Sequence, residues 1–148
     1  MASMTGGSIV IDRPVEQVWA WLNDEQHDLV WRRPYLKELR RTGPYEVGVK
    51  FEGINKGGWK AERFVNEVTE YVPRQRIAWR QMTDVATVPR AGSYTLEGSV
   101  GHTKFTLEIE IGLPGIAKVL ERPMSAIAKR TVGPTLLKQL KEAIEQEA

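Results

Sequence analysis

The sequence predicts an α+β domain in which a curved antiparallel sheet wraps around one long C-terminal helix. From Pro44 to Gly112, apolar and polar residues alternate in short segments separated by turns that contain glycine or proline, which is typical of antiparallel strands. Residues 115–148 then follow a helical pattern with a break at Gly133-Pro134. A helix of that length must bury its apolar stripe, and the preceding strands are the large partner that the sequence offers.

Composition limits the class of protein. The 148 residues are enough for one domain with its own core, without disulfides or metal. The chain has no cysteine, which excludes thiol nucleophiles and zinc–thiolate sites and favours a cytoplasmic location. Because 21 basic and 19 acidic residues nearly cancel, we expect no nucleic-acid partner. No apolar run approaches the ~20 residues that span a bilayer.

The first residues are set apart from the domain. Met1–Gly7 is similar to the start of a phage-derived expression tag, so residues 1–7 are predicted to be a tag remnant. The single domain is then expected to cover residues 8–148, and its first strand is predicted at Ser8–Ile11.

Two short helices are predicted after this strand. The first starts at Asp12-Arg13-Pro14, where Asp12 is expected to cap it and proline suits the first turn, and it ends at Asn23. Its buried face is formed by residues at helical spacing, namely Val15, Val18, Trp19 and Leu22. The second is expected over Asp28–Arg41, with an interruption at Pro34.

Five strands follow in a meander. The first begins with the alternating Val47, Val49 and Phe51 and ends at the turn Asn55-Lys56-Gly57-Gly58. The others are predicted at Lys60–Val72, Arg76–Met82, Gly92–Val100 and Thr103–Gly112. The facing of Lys60–Val72 stays open, because its apolar residues share a face with polar ones, namely Phe64 and Val68 with Asn66 and Glu70.

Three segments resemble a known superfamily. They are residues 9–19 (IVIDRPVEQVW), residues 67–73 (EVTEYVP) and residues 92–96 (GSYTL). With the order of elements, they resemble the START-related helix-grip (SRPBCC) superfamily, in particular its polyketide cyclase/dehydrase-like branch. Members of that superfamily bind lipids, sterols, polyketides or plant hormones, and a minority catalyse cyclisation, dehydration or condensation. The resemblance therefore implies a helix-grip fold and a class of ligand, but no particular reaction.

The terminal helix changes its buried side at Gly133-Pro134. One apolar cluster consists of Ile116, Val119, Leu120, Pro123 and Ile127, and the other of Leu136, Leu137, Leu140, Ala143 and Ile144. The two clusters are rotated by roughly 120°, so we predict a kink at this position. Residues 134–147 are then expected to anchor the helix to the sheet, and residues 116–132 to face a ligand cavity. The alternative is that the small residues of the first half allow close packing without a cavity.

The lining expected for such a cavity is largely aromatic. Aromatic rings bury large areas, while an indole N–H or a phenol O–H can orient a polar atom of a ligand. The candidates before the terminal helix are Trp31, Tyr35, Phe51, Phe64, Trp79, Gln81, Tyr94, Leu96, Phe105 and Leu107. Those on the terminal helix are Met124, Ile127, Ala128 and Thr131. The alternative for most of the aromatic residues is an ordinary place in the core.

Groups suited to catalysis are scarce. Both histidines, His27 and His102, fall in loops or turns away from the inferred cavity. No nucleophile elbow, phosphate loop or dinucleotide motif occurs, and we expect neither a metal nor a cofactor. The groups that remain for acid–base chemistry are Tyr35, Tyr94, Arg63, Arg80 and Arg90.

The function expected from this pattern is binding of a small hydrophobic molecule, such as a lipid or polyketide. The first alternative is a cofactor-independent cyclase or dehydratase that uses the same cavity, which requires an ionisable group with a shifted pKa. The second is an accessory docking protein, which requires an exposed apolar patch. A basic stretch that contains Arg32, Arg33, Lys37, Arg40 and Arg41 is either a solvated face or a contact for an anionic membrane. The sequence indicates no oligomeric state.

Overall fold

The computed structural model describes residues 3–32, 36–56, 61–85, 88–111 and 135–147. Within these residues the chain forms seven strands: β1 (Ser3–Ile11), β2 (Leu36–Arg41), β3 (Lys50–Asn55), β4 (Glu62–Val72), β5 (Arg76–Gln81), β6 (Ala91–Ser99) and β7 (His102–Ile111). It also forms helix α1 (Val15–Leu22), the single turn α2 (Asp28–Trp31) and helix α3 (residues 135–146). A short 3-10 turn, Glu25–His27, leads into α2.

The strands form one antiparallel sheet. Their order is β1-β7-β6-β5-β4-β3-β2, so β2 to β7 are a meander and β1 pairs with the last strand of it. The segment that contains α1 and α2 connects the two edge strands, β1 and β2. This arrangement confirms the predicted α+β class, with two short helices after the first strand.

Helix α3 is held by both apolar and polar contacts. Its residues Leu137, Leu140 and Ile144 are buried in the hydrophobic core. The backbone N–H of Asp12 donates to the carboxylate of Glu145 at 3.0 Å, and the ammonium of Lys141 donates to the carbonyl of Val10 at 2.8 Å. These contacts agree with the anchoring role expected for residues 134–147. Residues 116–132 and the predicted break at Gly133-Pro134 lie outside the described residues.

Strand β1 begins at Ser3 and includes residues that the sequence set apart from the domain. Residues 3–7 pair with residues 107–111 of β7. An added Cβ at Gly6 would overlap the carbonyl oxygen of Leu107, so the close approach of the strands requires glycine there. The tag remnant stays a prediction, but residues 3–7 are part of the sheet.

Deletion of residues 2–7 is expected to lower the melting temperature by several degrees, equivalent to about 1–2 kcal/mol, because the edge pairing of residues 3–7 is lost. Differential scanning calorimetry measures this change. The control is deletion of Ala2 alone, which leaves the paired residues in place. An unchanged melting temperature after the longer deletion would show that this part of β1 adds no stability.

Helix α1 starts later than predicted, and Asp12 does not cap it. Pro14 occupies the N-cap position, without a side-chain capping bond. The carboxylate of Asp12 instead lies 3.1 Å from Nδ1 of His102 and 3.7 Å from Nζ of Lys141. The predicted capping role is therefore wrong, because the side chain turns towards His102 of β7 and Lys141 of α3. Val18, Trp19 and Leu22 are buried as predicted, and Val15 is half-buried.

Residues 36–41 form an edge strand, so the predicted helix over Asp28–Arg41 is wrong beyond its first turn. Leu36 and Leu39 are three residues apart, a spacing that is typical of one helix face. In the structure, a bulge between Leu36 and Glu38 in the pairing with β3 lets both leucines point inward. The three-residue spacing of the two leucines therefore reflects a bulged strand and not a helix. Pro34 lies outside the described residues.

Strand β4 presents Phe64, Asn66 and Val68 to the interior, which settles the facing that the sequence left open. A register shift between Val68 and Glu70 in the pairing with β5 ends the strict alternation, and Glu70 is exposed. The inner face of β4 therefore carries one polar side chain, Asn66, between two apolar ones.

Strand β3 begins at Lys50, later than the alternation at Val47 suggested. Val47 is 60% exposed and belongs to a turn in which Gly48 has a φ of 94°. That dihedral is in the left-handed region, which glycine adopts without strain. β3 and β4 form the predicted antiparallel pair, while Gly57 and Gly58 of its turn lie outside the described residues.

Candidate functional site

A small pocket lies between α2 and the inner side of the sheet. Its volume is about 20 Å³. It is lined by Asp28, Arg32, Leu39, Tyr45, Phe51, Asn66, Val68, Ile77, Trp79 and Tyr94. We term it the inner pocket. Since one water molecule needs about 10–15 Å³ of such space, the pocket accommodates one small polar group.

Strand register brings the sheet residues of the inner pocket together. Val68 lies opposite Trp79, and Ile77 lies opposite Tyr94. Trp79 also pairs with Gly92, where an added Cβ would lie 2.5 Å from the indole ring. Glycine at this position therefore leaves the space in which the ring of Trp79 lies over the sheet.

Aromatic rings continue from the pocket into the core. The ring centroids of Trp79 and Tyr94 are 5.6 Å apart, and those of Tyr94 and Phe105 are 5.4 Å apart. Trp31 meets Phe105 edge to face at 6.0 Å. Such pairs of rings are stabilising at these distances, so the four rings form a fixed surface, which we term the aromatic wall.

Two tyrosine hydroxyls meet in the pocket. The hydroxyl oxygens of Tyr45 and Tyr94 are 3.4 Å apart, within reach of a weak hydrogen bond in which either one donates. Burial raises the pKa of Tyr94 well above its ordinary value, and it raises the pKa of Tyr45 in the same way. Both side chains therefore keep their protons at neutral pH. Because only one proton lies between the two oxygens, the pair retains a second O–H that can donate elsewhere.

Asp28 places a carboxyl group in the buried wall. Its Oδ1 accepts a hydrogen bond of 3.0 Å from the indole N–H of Trp31, one helical turn further on. Burial raises the pKa of Asp28, and the nearby positive charge of Arg32 partly opposes this effect. Asp28 therefore keeps its proton to a higher pH than an exposed aspartate does.

Arg32 contributes a fixed positive charge. Its guanidinium carbon lies 4.9 Å from the ring centre of Trp31 and 5.2 Å from that of Trp79. Each cation–π contact of this kind contributes about 0.5–2 kcal/mol. The two indoles therefore hold the guanidinium over the aromatic wall, beside the carboxyl group of Asp28.

Asn66 is the least satisfied polar group of the pocket. Its side chain is only 6% exposed, and its Oδ1 has no hydrogen-bond partner in the described part of the chain. Leaving such a buried acceptor unpaired costs about 1–3 kcal/mol. Asn66 is therefore the lining residue whose buried acceptor most lacks a hydrogen-bond donor.

The predicted lining is partly brought together in this pocket. Phe51, Trp79 and Tyr94 line it, and Trp31 adjoins it through its contacts with Asp28 and Arg32. Other predicted residues are buried in the core but are not among its lining residues, namely Phe64, Leu96, Phe105 and Leu107. Five candidates lie outside the described residues: Tyr35, Met124, Ile127, Ala128 and Thr131.

Gln81 uses its side chain within the loop that follows β5. Its amide nitrogen lies 3.2–3.3 Å from the carbonyl oxygens of Val85, Val88 and Pro89. Its Oε1 accepts bonds from the hydroxyl of Thr83 and the backbone N–H of Val85. Gln81 thus orders residues of the loop, and its part in ligand binding stays a prediction.

Four polar residues of the pocket were absent from the predicted lining, namely Asp28, Arg32, Tyr45 and Asn66. Asp28 carried a usable signal, because it stands three residues before Trp31 and four before Arg32, so one helical turn places all three on one side. Tyr45 lies in the turn before β3, where periodicity does not predict burial. Asn66 was considered in the sequence, but the pattern of its strand did not decide whether its side chain lies inside or outside the sheet.

Arg80, a candidate for acid–base chemistry, and the two histidines lie away from the inner pocket. Arg80 is exposed and lies 3.4 Å from the carboxylate of Glu110 on the outer side of the sheet. The ring of His27 stacks on Trp21 with centroids 4.3 Å apart, and His102 faces Asp12. Neither histidine lines the inner pocket.

The basic stretch is partly neutralised. Arg40 forms an ion pair with Glu52, and Arg41 lies 3.7 Å from a carboxylate oxygen of Glu25. Arg32 lies against the two indoles, as described above. Contact with an anionic membrane stays a prediction.

Metal-ligand clusters and membrane-spanning helices are both absent from the described residues. These residues contain no group of three or more histidine, aspartate or glutamate side chains that could ligate a metal. None of the helices in this part of the chain has the length and apolar character needed to cross a bilayer. The polar side chains that line the inner pocket are those of Asp28, Arg32, Tyr45, Asn66 and Tyr94.

The family model described as polyketide cyclase / dehydrase and lipid transport matches residues 3–145. The chain belongs to this family. The match starts at the first residue of β1 and includes nearly all of α3. No curated protein matches the chain.

Solved structures show the family's fold. An aromatase/cyclase named Zhui from Streptomyces sp. R1128 has a TM-score of 0.78 at 12% identity, covering 99% of this chain and 95% of the other. TTHA0849 from Thermus thermophilus has a TM-score of 0.76 at 15% identity, covering 99% of both chains. A START superfamily protein from Mycobacterium smegmatis has a TM-score of 0.76 at 14% identity, covering 98% of this chain and 99% of the other. These likenesses confirm the helix-grip fold, and the family match confirms the predicted polyketide cyclase/dehydrase-like branch.

Proposed function

We propose that this protein binds a small, largely apolar molecule whose polar end enters the inner pocket. The observation that carries the proposal is the unpaired Oδ1 of Asn66, buried beside the aromatic rings of Phe51, Trp79 and Tyr94. Apolar walls with a few convergent polar groups are typical of small-molecule sites. The apolar part of the ligand would lie against the rings, since about 20 Å³ holds only its polar end.

The comparisons support the same class of ligand. The family description includes lipid transport as well as polyketide cyclisation and dehydration, and all of these involve molecules with large apolar parts. The sheet and α3 supply the scaffold that is shared with those proteins. The identity of the bound molecule is therefore what an experiment has to determine.

Native mass spectrometry of freshly purified protein tests the proposal. We expect a fraction of the protein to carry a bound small molecule that denaturation releases. Val68→Leu adds one methylene group to the inner pocket and is expected to reduce this fraction at least severalfold, because Val68 is buried and lines the pocket. The measurement is the ratio of ligand-bound to free protein.

The matched control is Val65→Leu, the same substitution in the same strand. Val65 is half-buried and does not line the inner pocket, so the bound fraction should stay at the wild-type level. If wild-type protein retains no ligand and also fails to bind apolar fluorescent probes, binding of a small molecule is excluded.

A second candidate is catalysis in the same pocket, as a cofactor-independent cyclase or dehydratase. The buried Asp28 and the protonated Tyr94 favour it, because both can donate a proton to a carbonyl oxygen while it gains negative charge. A linear diketone that forms a conjugated enone by intramolecular aldol condensation, with loss of water, provides an ultraviolet assay. Turnover that Tyr94→Phe lowers by 10²-fold or more, with binding retained, would support catalysis. Equal rates with and without protein would exclude it for this substrate class.

Docking on a larger complex has less support from the described residues. Their exposed large apolar side chains stand on separate elements and turns, namely Val10, Val30, Val47, Val72, Met82 and Val100. Single exposed apolar residues are common on monomeric proteins. The inner pocket is therefore the feature on which the function is proposed to depend.

A further inference from the structure

The polar groups of the inner pocket define which ligand group fits. The Oδ1 of Asn66 is an acceptor without a partner in the described residues, so it needs a donor from the ligand. A ligand oxygen without hydrogen, such as that of a ketone or an ether, does not supply one. A ligand hydroxyl does.

The tyrosine pair complements this acceptor. Tyr45 and Tyr94 share one hydrogen bond, and the second O–H of the pair is available to donate. Both tyrosines line the same small pocket as Asn66. A hydroxyl oxygen placed there would accept from the pair while its own hydrogen is donated to Asn66.

The volume and burial disfavour larger or charged groups. About 20 Å³ suits a hydroxyl better than the larger carboxylate, phosphate or ring. The pocket is also costly for an ammonium group, because Arg32 already supplies a positive charge beside it. The chemistry that remains is a neutral hydroxyl on an apolar skeleton.

We propose that the inner pocket recognises a hydroxyl group of the ligand, which donates to Asn66 and accepts from the Tyr45–Tyr94 pair. The ligand is then a phenol or an alcohol with an apolar skeleton, and its ring or chain lies against Trp79. This inference rests on the proposed binding function and specifies its ligand class.

Three matched probes test it: β-naphthol, β-methoxynaphthalene and naphthalene, titrated into the full-length protein and followed by calorimetry. We expect β-naphthol to bind at least about tenfold more tightly than β-methoxynaphthalene, because only the naphthol donates to the buried acceptor. Naphthalene is expected to bind with an affinity close to that of the methoxy compound.

Two variants of Asn66 show whether this residue causes the preference. Asn66→Val removes the amide at similar volume and suits a strand, and Asn66→Ala removes it without adding bulk. Both are expected to reduce the preference for naphthol over β-methoxynaphthalene to less than about threefold. Asn66→Val is also expected to raise the melting temperature by a few degrees, because an unpaired buried acceptor is removed.

A pair of tyrosine variants completes the test. The double variant Tyr45→Phe/Tyr94→Phe is expected to reduce the preference for naphthol severalfold, because either tyrosine alone keeps one O–H that can donate to the ligand. Tyr71→Phe is the control, since the hydroxyl of Tyr71 donates to Asn23 at 3.4 Å and Tyr71 does not line the inner pocket. The preference of the Tyr71→Phe variant for β-naphthol over β-methoxynaphthalene should equal that of the wild type.

The outcomes separate the two proposals. If naphthalene and β-methoxynaphthalene bind but β-naphthol is not preferred, hydroxyl recognition is wrong and the binding function stands. A preference that survives in both Asn66 variants also overturns hydroxyl recognition by this residue. If none of the three probes binds and no ligand is retained in native mass spectrometry, both proposals fail.

Discussion

Leu140→Ala is expected to lower the free energy of unfolding by about 2–5 kcal/mol. Leu140 is fully buried, near the middle of the segment of α3 that packs on the sheet. The helix cannot easily move to fill the space, because the contacts of Glu145 with Asp12 and of Lys141 with Val10 fix its position. Urea denaturation followed by tryptophan fluorescence and far-ultraviolet circular dichroism measures the loss.

Lys138→Ala is the matched control on the same helix. The side chain of Lys138 is exposed, and its ion pair with Glu142 spans 4.0 Å at the surface. Such pairs contribute little, so the free energy of unfolding should change by no more than about 0.5 kcal/mol. Similar losses in the two variants would show that α3 is not packed on the core through Leu140.

Asp28→Asn is expected to stabilise the fold at neutral pH relative to the wild type. Burial raises the pKa of Asp28 in the folded state, so its ionised form is disfavoured there relative to the unfolded chain. Asparagine keeps an oxygen that can accept the indole N–H of Trp31 but carries no charge. Each unit of difference between the folded and unfolded pKa corresponds to about 1.4 kcal/mol.

The sign of the pH dependence follows from proton binding. As the pH rises from the unfolded pKa, near 3.8, to the raised folded pKa, the folded state keeps a proton that the unfolded state has lost. The contribution of Asp28 to stability therefore falls across this window and is constant above it. The advantage of Asp28→Asn should be smallest below the window, grow through it and reach a plateau. Thermal unfolding of both proteins from about pH 3 to about pH 8 measures this difference, and a difference independent of pH would contradict a raised pKa for Asp28.

Much of the fold follows from periodicity, but irregular strands were misread. Tyr94 pairs with Leu107 and Leu96 pairs with Phe105, as simple alternation in a tight hairpin requires. Alternation fails where a bulge adds a residue, because every later side chain then changes face. This explains why β2 resembled a helix and why Glu70 seemed to share a face with Phe64 and Val68.

The candidate site was predictable in its aromatic part and not in its polar part. Phe51, Trp79 and Tyr94 lie on regular strands, so their facing follows from sequence position. Asp28 and Tyr45 lie on a single helical turn and in a turn before β3, where burial depends on tertiary contacts. The groups most relevant to ligand chemistry therefore appeared only when distant segments were brought together.

The bulge in β2 also affects how the folded protein meets other molecules. β2 is an edge of the sheet, and a long flat edge strand can template the addition of a strand from another chain. This strand has only six residues, is irregular between Leu36 and Glu38, and exposes the charged side chains of Lys37, Glu38 and Arg40. The bulge that gave β2 the residue spacing of a helix thus also protects this edge of the sheet from aggregation.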